Sequence, residues 1–404
     1  MQTETLTEKS QSYLTKLCEE IPERCVGSEG NRRATQFFEE ETAFLGWKTQ
    51  RQEFEALDWK EEGAHLEVGG ESFEVFVSPY SLSCQAEATL VSASKVEELQ
   101  QLAMKDKVVL LQGELAKEQL MPKNFVFYNP EEHQQIISLL EQGKPKALIC
   151  ATGRNSALAG GVYPFPLIED GDFNIPSVYM TEEEGQRLLA YAGKTVTLRS
   201  KAQRLPGKGY NVIARRGKQS GRRIVITAHI DAKKGTPGAI DNATGVIVLL
   251  LLAKLLENYE GARLLELVAL NGEDHYAIPG QMFFVKANQG HFQEILLNIN
   301  IDGLGYKEGG SAFSLYNLPQ EMEHKVKEVL GTFPGIAECP QWPQGDHSIF
   351  VQQGCPALAV TSEWFITNME SQAVTHTPKD NPAIVDCEKV VEIAQALQKL
   401  LCAL

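Results

Sequence analysis

The sequence lacks a hydrophobic run long enough to cross a membrane. Its most apolar stretch, residues 246–253, is interrupted by Lys254, whereas a spanning helix needs about 20 apolar residues. Residues 1–8 are polar and acidic, unlike the basic and apolar start of a secretory signal peptide. We therefore expect no membrane span and a cytoplasmic location, although a secreted protein whose signal has been removed would begin in the same way.

Positive charge is in deficit, since 38 Lys and Arg residues stand against 53 Asp and Glu residues. The resulting formal charge of −15 argues against a surface that binds nucleic acid or an anionic membrane. Neither is expected as a partner.

Several sequence motifs are missing as well. The eight cysteines are scattered and form no Cys-x-x-Cys pair, which predicts free, mostly buried thiols instead of a disulfide framework. No Gly-x-Ser-x-Gly motif occurs, which argues against a serine hydrolase. There is no internal repeat and no low-complexity segment. A chain of 404 residues that is 43% hydrophobic can form two or three domains with substantial cores.

Two patterns of predicted elements divide the chain. Helices are predicted at 4–19 and 31–45 and a strand at 48–57. Residues 60–205 form a mostly β insert without an obvious cluster of acids, bases or ligands. Its predicted strands are 108–111, 125–128, 146–149, 175–179 and 195–198, with a helix at 131–142.

From about residue 209, predicted strands alternate with apolar helices. This alternation predicts an α/β domain with a mixed sheet, parallel at its centre and flanked by helices. Residues 1–58 and 206–404 would form that domain, and 60–205 the insert. The predicted strands are 212–214, 224–228, 264–270, 295–301 and 357–361, and the predicted helices are 244–257, 280–287 and 385–402.

Metal-capable side chains follow these predicted strands repeatedly. Open α/β sheets bind ligands at the carboxyl ends of their strands, so these side chains are expected to converge there. Asp241 is expected to open the helix that follows, where the helix dipole favours an anion. The candidates in chain order are His229, Asp231, Asp241, Glu273, Asp274, Asp302 and His376.

Two imidazoles and three carboxylates suit zinc, which cobalt or manganese could replace. The five predicted ligands are His229, Asp241, Asp274, Asp302 and His376. One catalytic zinc needs only three protein ligands and an open position. A carboxylate shared between two ions about 3.5–4 Å apart would resolve the excess.

Together these elements resemble the M28 family of metallopeptidases, of the aminopeptidase/glutamate carboxypeptidase type. The resemblance is strong over residues 209–404 and weak over 1–58. Residues 60–205 resemble a protease-associated (PA) domain through Lys107-Val-Val-Leu-Leu111 and Asn174-Ile-Pro-Ser-Val178. The family elements, in order, are His229-Ile-Asp231, Gly238-Ala-Ile-Asp241-Asn-Ala-Thr-Gly245, Gly272-Glu273-Asp274, Asn300-Ile-Asp302-Gly303, Asp346-His347 and His376-Thr-Pro378.

The resemblance implies a zinc-exopeptidase fold of the phosphorylase/hydrolase type and assigns roles within it. His229 and Asp302 would hold one ion, Asp274 and His376 the other, and Asp241 would bridge both. Two further acids would be catalytic, Asp231 by orienting His229 and Glu273 as the general base. The family often has Glu at the position of Asp274, which leaves that ligand's geometry and the preferred metal open. The resemblance also implies a cis peptide between Asp241 and Asn242.

The preferred function is an aminopeptidase that hydrolyses the N-terminal peptide bond of peptides through two divalent ions, zinc first. A carboxypeptidase of the same family, a mono-zinc glutaminyl-cyclase-like enzyme and a non-catalytic receptor-like scaffold are the alternatives. His275 is expected to face solvent. For His347 a supporting or packing role and a substrate contact are equally open.

Overall fold

The computed structural model describes residues 5–154, 159–218, 221–368 and 373–404. The strands are Lys48–Val68 (β1), Glu71–Phe73 (β2), Phe76–Val77 (β3), Cys84–Ala93 (β4), Val108–Leu111 (β5), Ala147–Thr152 (β6), Ser177–Thr181 (β7), Thr195–Arg216 (β8), Arg223–His229 (β9), Leu265–Leu270 (β10), Ile295–Ile301 (β11), Ser311–Tyr316 (β12), Ile336–Glu338 (β13) and Ala357–Ser362 (β14). The α-helices are Leu6–Thr15 (α1), Glu29–Phe44 (α2), Val96–Gln101 (α3), Glu131–Gly143 (α4), Glu182–Leu189 (α5), Thr244–Leu255 (α6), Pro279–Ala287 (α7), Gln320–Leu330 (α8), His347–Gln352 (α9), Glu363–Thr367 (α10) and Cys387–Ala403 (α11).

The chain divides into two units. The larger unit contains Met1–Ala56, Gly207–Met369 and Val374–Leu404. The smaller unit contains Leu57–Pro206 and the segment Glu370–Ala373, of which only Ala373 lies within the described residues. Both boundaries fall inside long strands, β1 and β8. Whether the smaller unit is a PA domain stays a prediction.

The larger unit is built on a mixed sheet with the order β13-β12-β14-β11-β9-β10-β8. The central strands β14, β11, β9 and β10 are parallel, whereas β12 pairs antiparallel with β14 and β8 pairs antiparallel with β10. The predicted α/β fold with a parallel centre is therefore confirmed. Parallel strands align their carboxyl ends, so residues that follow β9, β10 and β11 come to one edge of the sheet.

Helices pack against the sheet because its strands are apolar on both faces. Helix α6 lies on β9 and β10, and α1, α2 and α11 pack on α6. Every residue from Thr244 to Ala253 is buried, which explains why this run has no polar face. On β14, Leu358 and Val360 join that core, while Ala357 and Ala359 point to the opposite face, against Tyr316 and Trp342.

The smaller unit contains parallel strands in the order β4-β5-β6-β7, with β3 antiparallel at the edge. Alternate residues of β5 enter two separate cores: Val109 and Leu111 enter one, and Val108 and Leu110 the other. Three helices accompany these strands, α3, α4 and α5. Only α4 was predicted, because α3 and α5 are too short for a clear helical period.

Other predicted elements differ from the structure in identifiable ways. The strand expected at 125–128 is wrong, since these residues form an irregular segment with a bend at 126–127, and Val126 and Tyr128 are exposed. The strand expected at 48–57 continues to Val68. The start predicted for the first helix, residue 4, lies outside the described residues. Strand β12 and helix α8 had no predicted counterpart.

No helix of the described residues is both long enough and apolar enough to cross a membrane. All eight cysteines lie in the described part of the chain, and none of them forms a disulfide there, as predicted. Five of them are buried.

Candidate metal centre

The predicted ligands come from strand ends and from two loops of the larger unit. His229 is the last residue of β9, and Asp302 directly follows β11. Asp274 lies in the turn after β10. Asp241 belongs to the irregular turn Ala239–Ala243, and His376 lies in the loop between α10 and α11 with a φ of 61°.

The carboxylate of Asp241 lies between the two imidazoles. Its Oδ1 is 3.2 Å from Nε2 of His229, and its Oδ2 is 3.2 Å from Nε2 of His376. Nε2 of His229 is also 3.4 Å from Oδ1 of Asp302, and Nε2 of His376 is 3.0 Å from Oδ1 of Asp274. The structure thus forms two clusters, each with an imidazole and a terminal carboxylate, joined by Asp241.

The donor set fits divalent metal. One ligand atom each from His229, Asp241 and Asp274 lies within 4.8 Å of the others. Nε2 of His229 is buried without a hydrogen-bond partner among the described residues, while Nδ1 is 3.2 Å from the backbone oxygen of Asp231. A proton on Nδ1 would donate to that oxygen and leave Nε2 free to bind a metal. Nitrogen and carboxylate donors at this ratio suit zinc.

Charge–charge attraction dominates the titration of the imidazoles and the shared carboxylate. Burial by itself would lower the pKa of His229 and His376, but the neighbouring carboxylates outweigh it and hold both pKa values well above the ordinary range. Burial would raise the pKa of Asp241, yet the two imidazoles lower it strongly. The carboxylates around the two imidazoles therefore favour positive charge next to Asp241.

Glu273 has the opposite titration behaviour. Burial raises its pKa well above the ordinary value, and the charges of Asp274, Asp302 and Asp346 raise it further, with His229 opposing them. A carboxyl group with a raised pKa can accept and return a proton near neutral pH. Cations in the pocket would counteract this rise.

Asp231 ties the end of β10 to the loop that follows β9. Its Oδ1 accepts a 2.6 Å hydrogen bond from the Gly272 amide, and its Oδ2 accepts a 3.0 Å bond from the Asp274 amide. Its Oδ1 is 3.7 Å from Nδ1 of His229, whereas the Asp231 backbone oxygen is only 3.2 Å from the same Nδ1. The Asp231 side chain therefore holds the Glu273–Asp274 turn more closely than it holds the imidazole.

Behind the cluster lies a second pair of buried side chains, Asp346 and His347. Gln281 donates a 3.0 Å hydrogen bond to Oδ1 of Asp346, and burial raises the pKa of this carboxyl to about 7. Nε2 of His347 lies 3.0 Å from the Trp342 backbone oxygen, and burial lowers the His347 pKa to about 4. The ring contacts Tyr316 and Trp342, so packing is part of its role.

Two expectations about this region need correction, and a third is confirmed. Asp241 does not open the helix, because α6 begins at Thr244 and the backbone at Asp241 is non-helical. His275 is buried and does not face solvent; its ring packs at a tilt against Tyr276, and its Nδ1 accepts a hydrogen bond from the Ala277 amide. The peptide between Asp241 and Asn242 is cis, as expected.

Two charged residues that contact the ligand loops were not predicted from the sequence. Asp380 is fully buried and accepts hydrogen bonds from the amides of Ile240 and Asp241. Arg24, far away in the sequence, is buried against the loop that leads from His229 to Asp241. The only sequence signal for Asp380 is its position four residues after His376. No local pattern indicates Arg24.

Comparison with known proteins finds similarity to peptidases. The model of peptidase family M28 matches residues 211–401. A probable leucine aminopeptidase 2 from Trichophyton verrucosum is 24% identical over 260 residues, which cover 56% of this chain and 51% of the relative. The chain thus spans about half the length of the curated relatives it matches.

Solved structures share the fold over nearly the whole chain. A zinc aminopeptidase from Bacillus subtilis superposes with a TM-score of 0.74 at 17% identity, covering 99% of this chain and 95% of that one. A glutaminyl cyclase from Tannerella forsythia superposes with a TM-score of 0.53 at 12% identity, covering 98% and 97%. At these identities the likeness establishes the fold alone.

Proposed function

The chain belongs to peptidase family M28 through residues 211–401, and on that premise we propose that it is an aminopeptidase with two divalent metal ions, zinc first. The observation that carries the proposal is the position of Asp241, whose two oxygens are each 3.2 Å from a different imidazole. A carboxylate shared in this way is what a pair of neighbouring ions requires.

Each ion would have three protein ligands. His229, Asp302 and one oxygen of Asp241 would hold the first, and His376, Asp274 and the other oxygen of Asp241 the second. Three ligands leave open positions for water and substrate. When bound, the ions supply an activated water nucleophile and a Lewis acid for the scissile carbonyl.

Glu273 would move the proton. In this role its carboxylate accepts a proton from the attacking water and delivers it to the leaving amine. The neighbouring position of Asp274 supports this division of work, because adjacent side chains of a turn project differently and only one of them needs to ligate. Asp231 would keep both in place through its bonds to the amides of Gly272 and Asp274.

The charge of the pocket favours the amino terminus of a peptide over its carboxyl terminus. In addition to the three carboxylate ligands, the buried acids Asp231 and Asp346 and the general-base candidate Glu273 belong to the same cluster. Two divalent ions would offset the charge of the three carboxylate ligands, and the three remaining acids, when ionised, would leave the cluster negative, so that it attracts an ammonium group and repels a carboxylate. Short peptides with a free N-terminus are therefore the proposed substrates.

The decisive experiment compares Glu273→Gln with the wild type. We expect kcat to fall by at least about 100-fold, the order that a positioned base contributes, while metal analysis still finds two ions per chain. The matched control is Glu328→Gln, which removes the same charge from an exposed position of α8 and should leave activity unchanged. Near-normal hydrolysis by Glu273→Gln would remove Glu273 as the base.

Substrate choice and metal content distinguish the proposed aminopeptidase from the alternative functions. Aminoacyl-p-nitroanilides and dipeptides should be cleaved, and N-acetylated peptides should not. One tightly bound zinc per chain together with cyclisation of N-terminal glutamine would favour the cyclase-like alternative, whose fold this chain shares. Cleavage from the carboxyl terminus would identify a carboxypeptidase, and no turnover with metal supplied would leave a binding scaffold.

A further inference from the structure

Asp380 holds the peptide from which the proposed bridging ligand projects. Its Oδ1 accepts a 2.8 Å hydrogen bond from the amide of Ile240, and its Oδ2 accepts a 3.1 Å bond from the amide of Asp241. One carboxylate thus binds two consecutive amides. Charge-assisted bonds of this kind are stronger than neutral ones, and Asp380 is completely buried, so water does not compete for them.

Asp380 also connects the two loops that carry Asp241 and His376. It lies four residues after His376, and its own backbone oxygen accepts a 3.3 Å bond from the Ala239 amide. A second link is nearby, since the Thr236 hydroxyl donates to the backbone oxygen of Thr377 at 2.9 Å. Fixing one loop against the other fixes the separation between the shared carboxylate and the second imidazole.

Arg24 completes this support from the other side of the loop. Its guanidinium donates to the backbone oxygens of Ile230 at 3.0 Å, Pro237 at 2.7 Å and Gly238 at 2.8 Å. These oxygens belong to the start and the end of the loop that leads from His229 to Asp241. Packing here is tight, because a Cβ on Gly238 would lie 2.5 Å from the backbone oxygen of Asp241 and 2.9 Å from the guanidinium.

We propose that Asp380 is a positioning residue that sets the orientation of the bridging carboxylate, with Arg24 fixing the loop behind it. A bridging ligand must present one oxygen to each ion, so a small rotation of its peptide moves both oxygens at once. The proposal rests on the dinuclear function proposed above. It assigns to Asp380 a role in metal occupancy, beyond its contribution to folding.

Asp380→Asn tests this role. The substitution preserves size, but its NH2 group would face one of the two amide N–H groups, which breaks one bond and turns the peptide. In titrations of the apoprotein with Co²⁺, we expect the affinity for the second ion to fall about 10–100-fold, the usual effect of removing a residue that supports a ligand. The visible absorption of the Co²⁺ protein should change, and kcat should fall more than KM rises.

The matched control is Asp386→Asn. Asp386 also accepts a backbone hydrogen bond, from the Glu388 amide at 2.9 Å, but it caps α11 and contacts no predicted ligand. Its Co²⁺ titration and spectrum should match the wild type. If the Asn variant does not fold, Asp380→Ser serves instead, since a hydroxyl accepts from one amide only and is too small to overpack the site.

The outcomes distinguish a failure of the proposed dinuclear function from a failure of the positioning role of Asp380. A wild-type chain that binds fewer than two Co²⁺ ions contradicts the proposed function itself. A wild type with two ions and an Asp380 variant with the same titration and spectrum contradicts the positioning role, even when the variant's apoprotein melts at a lower temperature. A weakened second ion in the Asp380 variant but not in the Asp386 variant supports the role.

Discussion

Replacing Asp346 by Asn should stabilise the metal-free protein, and more so as the pH rises. Asp346 is buried, with Oδ1 bonded to Gln281 and Oδ2 without a hydrogen-bond partner among the described residues. Asn keeps an oxygen for the Gln281 bond and places its NH2 group where the unpartnered oxygen was. The substitution therefore removes a charge at nearly constant shape.

The magnitude follows from the titration of Asp346. Burial raises its pKa from the ordinary 3.8 to about 7 in the folded chain. When the pH is above the pKa of Asp346 in the unfolded chain, the unfolded chain releases this proton while the folded chain retains it. The free energy of unfolding therefore decreases as the pH rises and levels off above the pKa of the folded chain. At about 1.4 kcal/mol per pKa unit, the Asn variant should be more stable by about 1.5 kcal/mol at pH 5 and about 4 kcal/mol at pH 8.

The assay is urea unfolding of both proteins between pH 5 and pH 8, with metal removed by a chelator. Glu328→Gln, an exposed charge removal of the same kind, should show no such trend. Adding zinc should shrink the difference, because nearby cations favour the ionised form of Asp346 in the wild type. A stability difference that does not change with pH, or an Asn variant that is less stable at pH 8, would contradict the predicted cost of ionising Asp346.

Three further predictions concern a buried hydrogen-bonded pair, a close-packed glycine and the removal of metal. Asn31→Ala should lower the free energy of unfolding by about 2–3 kcal/mol in urea titrations, because the buried Oδ1 of Asn271 would lose its donor and the Asn271 Nδ2 would keep only the Tyr210 backbone oxygen as acceptor. Gly245→Ala should reduce metal content and cut kcat/KM by at least about 10-fold, since a Cβ there would lie 2.3 Å from Oδ1 of Asn242 and 2.7 Å from the Ile301 backbone oxygen; normal metal content would contradict this. Chelation should abolish hydrolysis and lower the melting temperature, and zinc or cobalt should restore both.

Local pattern was enough to predict much of the larger unit. The β-branched run at 224–228 can be buried only as a strand or a helix, and the polar His229 after it marks its end. The same reasoning located β10, β11 and β14. It failed at 125–128, where apolar residues have the composition of a strand but find no partner strand. Helices α3 and α5 were also missed. They have 6 and 8 residues, which is about two helical turns and too few to show a clear amphipathic pattern.

Helix ends and side-chain environment were harder to predict. Asp241 was expected to open a helix, but Asp380 and the surrounding turn hold its backbone outside the helical region and delay α6 to Thr244. His275 was expected to face solvent because it lies in a polar loop. Its ring contacts the adjacent Tyr276, but its burial comes from the surrounding fold, which has no local signature.

The sequence alone indicates which side chains are candidates for binding a metal, because the apolar runs end at His229 and Asp302 and parallel strands share an edge. The folded chain is needed to show that Asp241 lies between both imidazoles and that Arg24 and Asp380 hold its loop. The reason is physical: periodicity acts over a few neighbouring residues, whereas Arg24 and Gly238 are 214 positions apart. Hydrogen bonds across such separations exist only once the whole core has packed.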